Sequence, residues 1–281
     1  ILSMEDIGRA ELSPNGEILV FEYIPPYREA PNTATLLATF DRSPLAKLLF
    51  VQTRVRLEAS PIFEQERDGG YWLGGYSPNG EKLAIYSLVS GKLRAGVYDF
   101  KARRLVTFDF TPNYSQQVKR PVWISNDQLV YAALSPGQQV PGQRLSIAKH
   151  VQELWQKAFD GFEPSATELR STKNGLHEAN TLYKGRLILA DTTTGASEVI
   201  AEGKFYNLQL SPNGRFIAAL REAGRIQPDP LYFPSTEPPT RSQLVIIDLL
   251  EPTRPIAPCE ECNVLPRTLA WSNDSRRLTF L

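Results

Sequence analysis

Serine is the residue type from which this sequence could most readily build a hydrolytic nucleophile. An α/β-hydrolase nucleophile needs G-x-S-x-G on a strand-to-helix elbow. The nearest match is Gly75–Asn79, G-Y-S-P-N, which lacks the final glycine and runs into a β-turn. Ser77 is therefore predicted to be a turn residue, and no catalytic residue is predicted in the chain.

The histidines and paired carboxylates supply no base for such a serine. His150 falls in a helical run and His177 in a polar stretch, so both are predicted to lie on the surface. The pairs Glu5-Asp6 and Glu260-Glu261 are adjacent in sequence, so their side chains point apart on a strand or lie in loops. No arrangement for acid–base catalysis follows.

The two cysteines, Cys259 and Cys262, form a single C-x-x-C in a proline-rich connection. Zinc would need two further ligands, and the histidines are remote in sequence. A redox dithiol would ordinarily open a helix in a βαβ unit, which this segment does not resemble. A local disulfide and two inert thiols both remain open, and neither a metal nor a cofactor is predicted.

The composition argues against two classes of partner. Lys plus Arg equals Asp plus Glu at 31 each, so no net charge attracts nucleic acid, and none is predicted as a partner. No apolar run reaches the roughly 18 residues of a membrane helix, so no membrane span is predicted. Pro (22) and Gly (18) are plentiful, which favours strands joined by tight turns.

A tight turn followed by an apolar strand recurs along the chain and must position the residues above. Pro fixes φ near −65° at the start of such a turn, and Asn and Gly accept the positive φ that follows. The three strong copies and then two weaker ones are Ser13–Gly16, Ser77–Gly80, Ser211–Gly214, Ser125–Asp127 and Ser272–Ser275.

A second unit follows four of the five turn units: an apolar strand ending in Asp, a short polar turn and another apolar strand. The Asp is predicted to cap the turn by accepting backbone N–H bonds. The copies are Leu37–Asp41 with Leu48–Val51, Gly96–Asp99 with Leu105–Phe108, Leu187–Asp191 with Ser197–Ile200, and Val245–Asp248 with Pro255–Ile256.

The fixed order of these two units predicts an all-β fold, a β-propeller of four-stranded blades. A β-sandwich would alternate strands without this paired order. Residues 1–281 are predicted to form one propeller domain of about four and a half blades, an incomplete ring truncated at its C-terminal end.

One segment, residues 135–184 within the third blade, departs from the blade pattern. We predict an inserted amphipathic helix of about 15 residues near 145–160, because apolar residues there recur at helical spacing. They are Ile147, Val151, Leu154, Trp155, Ala158 and Phe159. The helix either packs on the propeller rim or forms a contact surface, and Trp155 and Phe159 are the candidate contact residues for substrate or a partner domain.

These repeats resemble the blades of the N-terminal propeller in the prolyl oligopeptidase family of serine peptidases, and those of TolB-like proteins. The segment Leu2–Ile7 resembles the lead-in of bacterial members of the peptidase family. The segments Gly74–Gly80, Glu153–Ala158 and Gly161–Ser165 are similar to a bacterial subgroup related to lasso-peptide isopeptidases.

The peptidase resemblance implies a non-catalytic propeller that restricts which peptides reach a Ser-Asp-His triad. That triad would belong to an α/β-hydrolase domain of the same protein, so the partners implied are this hydrolase domain and a peptide substrate. The alternative is a stand-alone TolB-like propeller that binds a protein or peptide. G-x-S-x-G followed by Asp and His in sequence beyond Leu281 would separate the two.

Overall fold

The computed structural model describes most of the chain as antiparallel β-structure. The described residues are 3–26, 46–63, 70–89, 92–114, 120–138, 155–161, 184–225, 240–252 and 254–281. A short helix at 155–159 lies within the predicted insertion. Within these ranges no helix is long and apolar enough to cross a membrane.

Seventeen strands run through the described ranges. In chain order they are β1 (Asp6–Leu12), β2 (Ile18–Ile24), β3 (Lys47–Gln52), β4 (Arg56–Pro61), β5 (Gly70–Tyr76), β6 (Lys82–Val89), β7 (Lys92–Asp99), β8 (Arg104–Thr107), β9 (Val122–Trp123), β10 (Gln128–Leu134), β11 (Gly185–Asp191), β12 (Ser197–Glu202), β13 (Phe205–Leu210), β14 (Phe216–Arg225), β15 (Thr240–Asp248), β16 (Ala270–Trp271) and β17 (Leu278–Thr279).

The strands form five sheets, which we call the first to fifth blades. The first three are four-stranded: β1-β2-β3-β4, β5-β6-β7-β8 and β9-β10-β11-β12. The fourth blade is β13-β14-β15 and the fifth is β16-β17. In every blade neighbours in the sheet are also neighbours in the chain, as the paired repeat units predict, and this confirms the prediction of four-stranded blades.

In the first blade, the third strand comes from a different segment than the sequence predicts. Leu37–Asp41 was expected there, with Leu48–Val51 as the fourth strand. In the structure β3 pairs directly with β2, with Glu22 opposite Leu48 and Val20 opposite Phe50, and β4 is the outer strand. This register places the side chains of Val20 and Leu48 on one buried face, and burial of that face outweighs the sequence pattern. Residues 37–41 lie outside the described residues.

The described residues fall into two compact units, each with its own core. One comprises parts of Ile1–Tyr98 and Gln138–Tyr183, and its core centres on β6, where Leu83–Leu88 are all buried. The other comprises parts of Asp99–Gly137 and Lys184–Leu281, and its core joins the third, fourth and fifth blades through residues such as Val130, Leu187, Phe205, Ile217, Val245 and Leu269.

The insertion begins and ends at a pair of hydrogen-bonded strands. Leu134 at the end of β10 lies opposite Gly185 at the start of β11, and the Ser135 amide donates to the Lys184 carbonyl at 3.0 Å. The insertion is therefore an extended hairpin connection of the third blade. Of the predicted helix, residues 145–154 lie outside the described residues.

Candidate functional site: serine turns and an exposed aromatic pair

Ser77 is placed by the turn that joins β5 to β6. The Gly80 amide donates to the Ser77 carbonyl at 2.9 Å and the Ser77 amide to the Lys82 carbonyl at 2.9 Å. Gly80 has a φ of +75°, which a residue without Cβ adopts at little cost. The turn predicted from S-P-N-G is thus confirmed, with Ser77 at its first position.

The Ser77 hydroxyl is bonded within this turn. It donates to Asn79 Oδ1 at 2.8 Å and accepts from the Lys82 amide at 3.0 Å, and the residue is 0% exposed. A serine nucleophile needs a base within reach of its proton and access to substrate. Among the residues that the structure describes, Ser77 has no base at its hydroxyl and is not accessible, so its geometry is that of a structural residue.

The same serine geometry recurs at three of the other four turns, those of Ser13, Ser211 and Ser272. Ser211 donates to Asn213 Oδ1 at 2.7 Å and accepts from the Phe216 amide at 2.9 Å. At the weaker fifth copy, Ser272 donates to Asp274 Oδ1 at 2.6 Å and accepts from the Arg277 amide at 2.9 Å. Pro, Asn and Gly alone predicted the turn; this role of serine was not predicted, although the repeated S-x-N spacing carries the signal.

Two pairs of these turns in neighbouring blades contact each other, the first with the second and the fourth with the fifth. A Cβ built on Gly80 would lie 3.1 Å from Pro14 Cδ in the first turn. Ser275, which occupies the glycine position of the fifth turn with φ of 59°, accepts a hydrogen bond from the Asn213 amide at 2.9 Å. The repeated turns therefore contribute to blade–blade packing.

The aspartates at the strand ends cap their turns as predicted. Asp99 accepts from the Ala102 amide at 2.7 Å, and Asp248 accepts from the Leu250 amide at 3.0 Å. Asp191 accepts from the amides of Thr193 and Thr194, both at 2.9 Å. The Thr194 amide bond is the main cause that lowers the pKa of Asp191 below its ordinary value. Asp41 lies outside the described residues.

A buried carboxylate joins the first and second blades. Glu22 accepts hydrogen bonds from the Arg9 amide at 3.0 Å, from Arg9 Nε at 3.2 Å and from the Leu73 amide at 2.8 Å. A salt bridge to Arg9 Nη2 at 3.1 Å completes the set. With its oxygens occupied in this way, Glu22 acts as a structural link between the two sheets.

A buried phenol makes a second link between these blades. Tyr76 Oη donates to the Ile18 carbonyl at 3.1 Å. Burial, followed by the negative charge of Glu11, raises the pKa of Tyr76 above its ordinary value. The phenol therefore stays protonated at neutral pH and serves as a hydrogen-bond donor.

Cys259 and Cys262 form a disulfide, which resolves the two alternatives left by the sequence. Glu260 and Glu261 are exposed in the loop that the disulfide closes. Among the residues that the structure describes, no three His, Cys, Asp or Glu side chains lie close enough to hold a metal ion. His150 and His177 lie outside the described ranges.

Trp155 and Phe159, the predicted contact residues, lie on the short helix of the insertion. Their residues are 66% and 82% exposed, so the pair is not part of a packed core in the described structure. Positions i and i+4 share one face of a helix. The helix therefore presents two large aromatic side chains to solvent side by side.

Solved structures share the fold of this chain at low sequence identity. An acylaminoacyl peptidase from Pyrococcus horikoshii superposes with a TM-score of 0.51 and 9% identity over 94% of this chain and 33% of its own. The β-propeller domain of the Trilobed protease from Pyrococcus furiosus superposes with a TM-score of 0.45 and 14% identity, over 93% of this chain and 60% of its own. A putative TolB from Agrobacterium tumefaciens superposes with a TM-score of 0.46 and 12% identity, over 98% of this chain and 69% of its own.

The likeness to the acylaminoacyl peptidase, together with the four-stranded antiparallel sheets, shows the fold, a β-propeller of four-stranded blades, and at 9% identity nothing finer. The chain spans about a third of the length of the acylaminoacyl peptidase. No protein-family model matches the chain, and no curated protein matches it at a significant level.

Proposed function

We propose that this chain is the non-catalytic, substrate-gating propeller of a serine peptidase of the prolyl oligopeptidase type. Its partners are then an α/β-hydrolase domain of the same protein, which carries the Ser-Asp-His triad, and a peptide substrate. Within that family we assign it to the bacterial subgroup related to isopeptidases, on the segments Gly74–Gly80 and Glu153–Ala158.

The observation that carries the proposal is the use of the serine hydroxyls. Ser77 is the best nucleophile candidate by sequence. Its hydroxyl donates a hydrogen bond to Asn79 Oδ1 and accepts one from the Lys82 amide. The motif serines of this propeller are held in their turns, so none of them is offered as a nucleophile. The blade repeats and the shared fold support a position beside a hydrolase domain.

The exposed aromatic pair is the part of the chain that we assign to gating. Large aromatic side chains bury much apolar area when a partner covers them, and they are enriched among residues that dominate binding energy. Trp155 and Phe159 are exposed on an insertion that the blade does not need for its own strands. We therefore assign this face to contact with the peptide or the hydrolase domain.

Alanine substitution of both aromatics tests this assignment in the complete protein. We expect Trp155→Ala/Phe159→Ala to change kcat/KM for a peptide substrate on the order of tenfold, the effect of losing a major contact residue. The melting temperature should stay near the wild-type value, because the two side chains are exposed. Val55→Ala, at a turn residue that is 82% exposed and lies outside the insertion, is the matched control.

Unchanged turnover together with a large loss of stability would contradict the gating assignment and make the helix a core element. The alternative function is a stand-alone propeller that uses the same exposed pair to bind a protein or peptide. It predicts loss of partner binding in the double variant and no hydrolase sequence following residue 281.

A further inference from the structure

The outer edge of the fourth blade is built differently from those of the first three. The other blades end in strands β4, β8 and β12, whereas β15 is followed by a single bridge at Ile256 within the described residues. The Ile246 amide donates to the Ile256 carbonyl and the Ile256 amide to the Ile246 carbonyl, both at 2.8 Å. This pair anchors one end of the connecting segment.

A second anchor lies at the other end of the same edge. The Val264 amide donates to the Ser242 carbonyl at 2.8 Å, and the Ser242 amide donates to Asn263 Oδ1 at 2.9 Å. Val264 is 1% exposed and belongs to the core of this unit. The segment between the anchors is thereby held along β15 at two separate points.

The two anchor points are separated by fewer residues along β15 than along the connecting segment. On β15 they are four residues apart (246 minus 242), a distance of roughly 13 Å at the rise of a strand. On the connecting segment they are eight residues apart (264 minus 256). The extra residues must leave the edge, and the Cys259–Cys262 disulfide closes the loop that they form.

The connecting segment also leads to the fifth blade. Beyond Val264 the chain reaches Trp271, whose Nε1 donates to the Gln209 carbonyl of β13 at 3.4 Å. The Trp271 ring stacks on Phe216 with centroids 6.3 Å apart. The disulfide loop is therefore in the covalent connection between the fourth blade and the hairpin that packs on it.

We propose that Cys259–Cys262 is a thiol–disulfide exchange site that controls how firmly this edge is held. Both cysteines are half-buried rather than buried, and they flank Glu260 and Glu261, which are exposed. An external dithiol supplies two electrons and two protons. Its thiolate attacks one sulfur, which breaks the Cys259–Cys262 bond, releases the other cysteine as a thiol and forms a mixed disulfide; its second thiolate then displaces the remaining cysteine as a thiol, with a cyclic disulfide as product. The reduced loop regains chain entropy, so Ile256 and Val264 separate from β15 more often.

Hydrogen exchange of the purified chain tests this proposal. We expect reduction by dithiothreitol to speed exchange of the Ile246, Ile256 and Val264 amides on the order of tenfold, the loop-closure effect of a four-residue loop. The Cys259→Ser/Cys262→Ser variant should reach the same rates without reductant and show no further change when reductant is added. Amides of β10 should be unaffected in every state.

Equal exchange rates at these amides in the oxidised, reduced and serine forms would overturn the proposal. So would a disulfide that dithiothreitol leaves intact under native conditions, read by mass after thiol alkylation. If the serine variant fails to fold, reduction of the folded wild-type chain still gives the decisive comparison.

Discussion

At the residue scale, the hydroxyl of the turn serine closes four of the five β-turns, at Ser13, Ser77, Ser211 and Ser272. It donates to the side chain two residues on and accepts the amide that begins the next strand, as at Ser77. A buried hydroxyl that makes two such bonds stabilises the fold by more than an exposed one, since its loss leaves buried groups without a partner.

Removing this hydroxyl should therefore lower the free energy of unfolding more at a buried turn than at an exposed one. We expect Ser77→Ala to lower the free energy of unfolding by about 1–3 kcal/mol, because Asn79 Oδ1 and the Lys82 amide lose a partner at a site that is 0% exposed. Ser272→Ala, with the same bonds at a more exposed turn, should cost less than about 1 kcal/mol. Urea unfolding measures both, and equal losses would contradict the role of burial.

The glycine positions of the turns permit a second comparison. Gly80 and Gly214 have nearly the same φ, +75° and +73°, but only Gly80 has a neighbour within 4 Å of an added Cβ. Both alanine variants should lose roughly 1–2 kcal/mol to the positive φ, and Gly80→Ala should lose about 1 kcal/mol more because Pro14 must move. Unfolding midpoints of the two variants measure this difference. A larger loss at Gly214 than at Gly80 would contradict the role of the Pro14 contact.

The cap at Asp191 predicts a pH dependence with a definite sign. Hydrogen bonds to the ionised carboxylate lower its pKa in the folded state. The resulting stabilisation is present above the unfolded pKa of about 3.9 and is lost as pH falls through the lower folded value. The stability difference between wild type and Asp191→Asn should therefore be larger at pH 6 than at pH 3 in urea unfolding. A difference that stays constant would contradict the assignment.

At the element scale, the blades are joined by a few polar side chains as well as by apolar packing. Glu22→Ala should lower the free energy of unfolding by about 3–5 kcal/mol, because the Leu73 amide and the Arg9 side chain lose a buried charged partner. The exposed ion pair of Arg215 with Asp248 provides the matched control, and Arg215→Ala should cost less than about 1 kcal/mol. Comparable losses would show that Glu22 does not link the blades.

The sequence predicted those elements whose signals are local. Turns with Pro, Asn and Gly, and the strands that follow them, depend on backbone preferences within a few residues. The third strand of the first blade could not be assigned this way, because Leu37–Asp41 and Leu48–Val51 carry similar patterns. The choice of β3 depends on which register buries Val20 and Leu48. The Glu22 link was missed for the same reason, since its partners are distant in the chain.

The candidate contact surface was only partly predictable. Helical spacing placed Trp155 and Phe159 on one face, and the short helix at 155–159 agrees. Spacing alone leaves open whether such a face packs on a core or faces solvent, because both arrangements use the same period. The exposure of the pair supplied that information.

At the scale of the whole molecule, the repeated blade determines what the chain can and cannot do. Its motif serines lie in turns, and Asp99, Asp191 and Asp248 cap turns, so these residues are structural. Among the described residues, the surfaces to which we assign function are the exposed aromatic pair of the insertion and the disulfide-closed edge of the fourth blade. This distribution fits a propeller that screens substrates for a catalytic domain.

The most direct test of a non-catalytic propeller is labelling with a fluorophosphonate probe, followed by mass-spectrometric mapping of the labelled serine. It is carried out in parallel on residues 1–281 and on the complete protein. We predict no label within residues 1–281, and in the complete protein a label on the serine of a G-x-S-x-G sequence outside this range. A label on Ser77 that disappears in Ser77→Ala, or a complete protein without any labelled serine, would contradict the account.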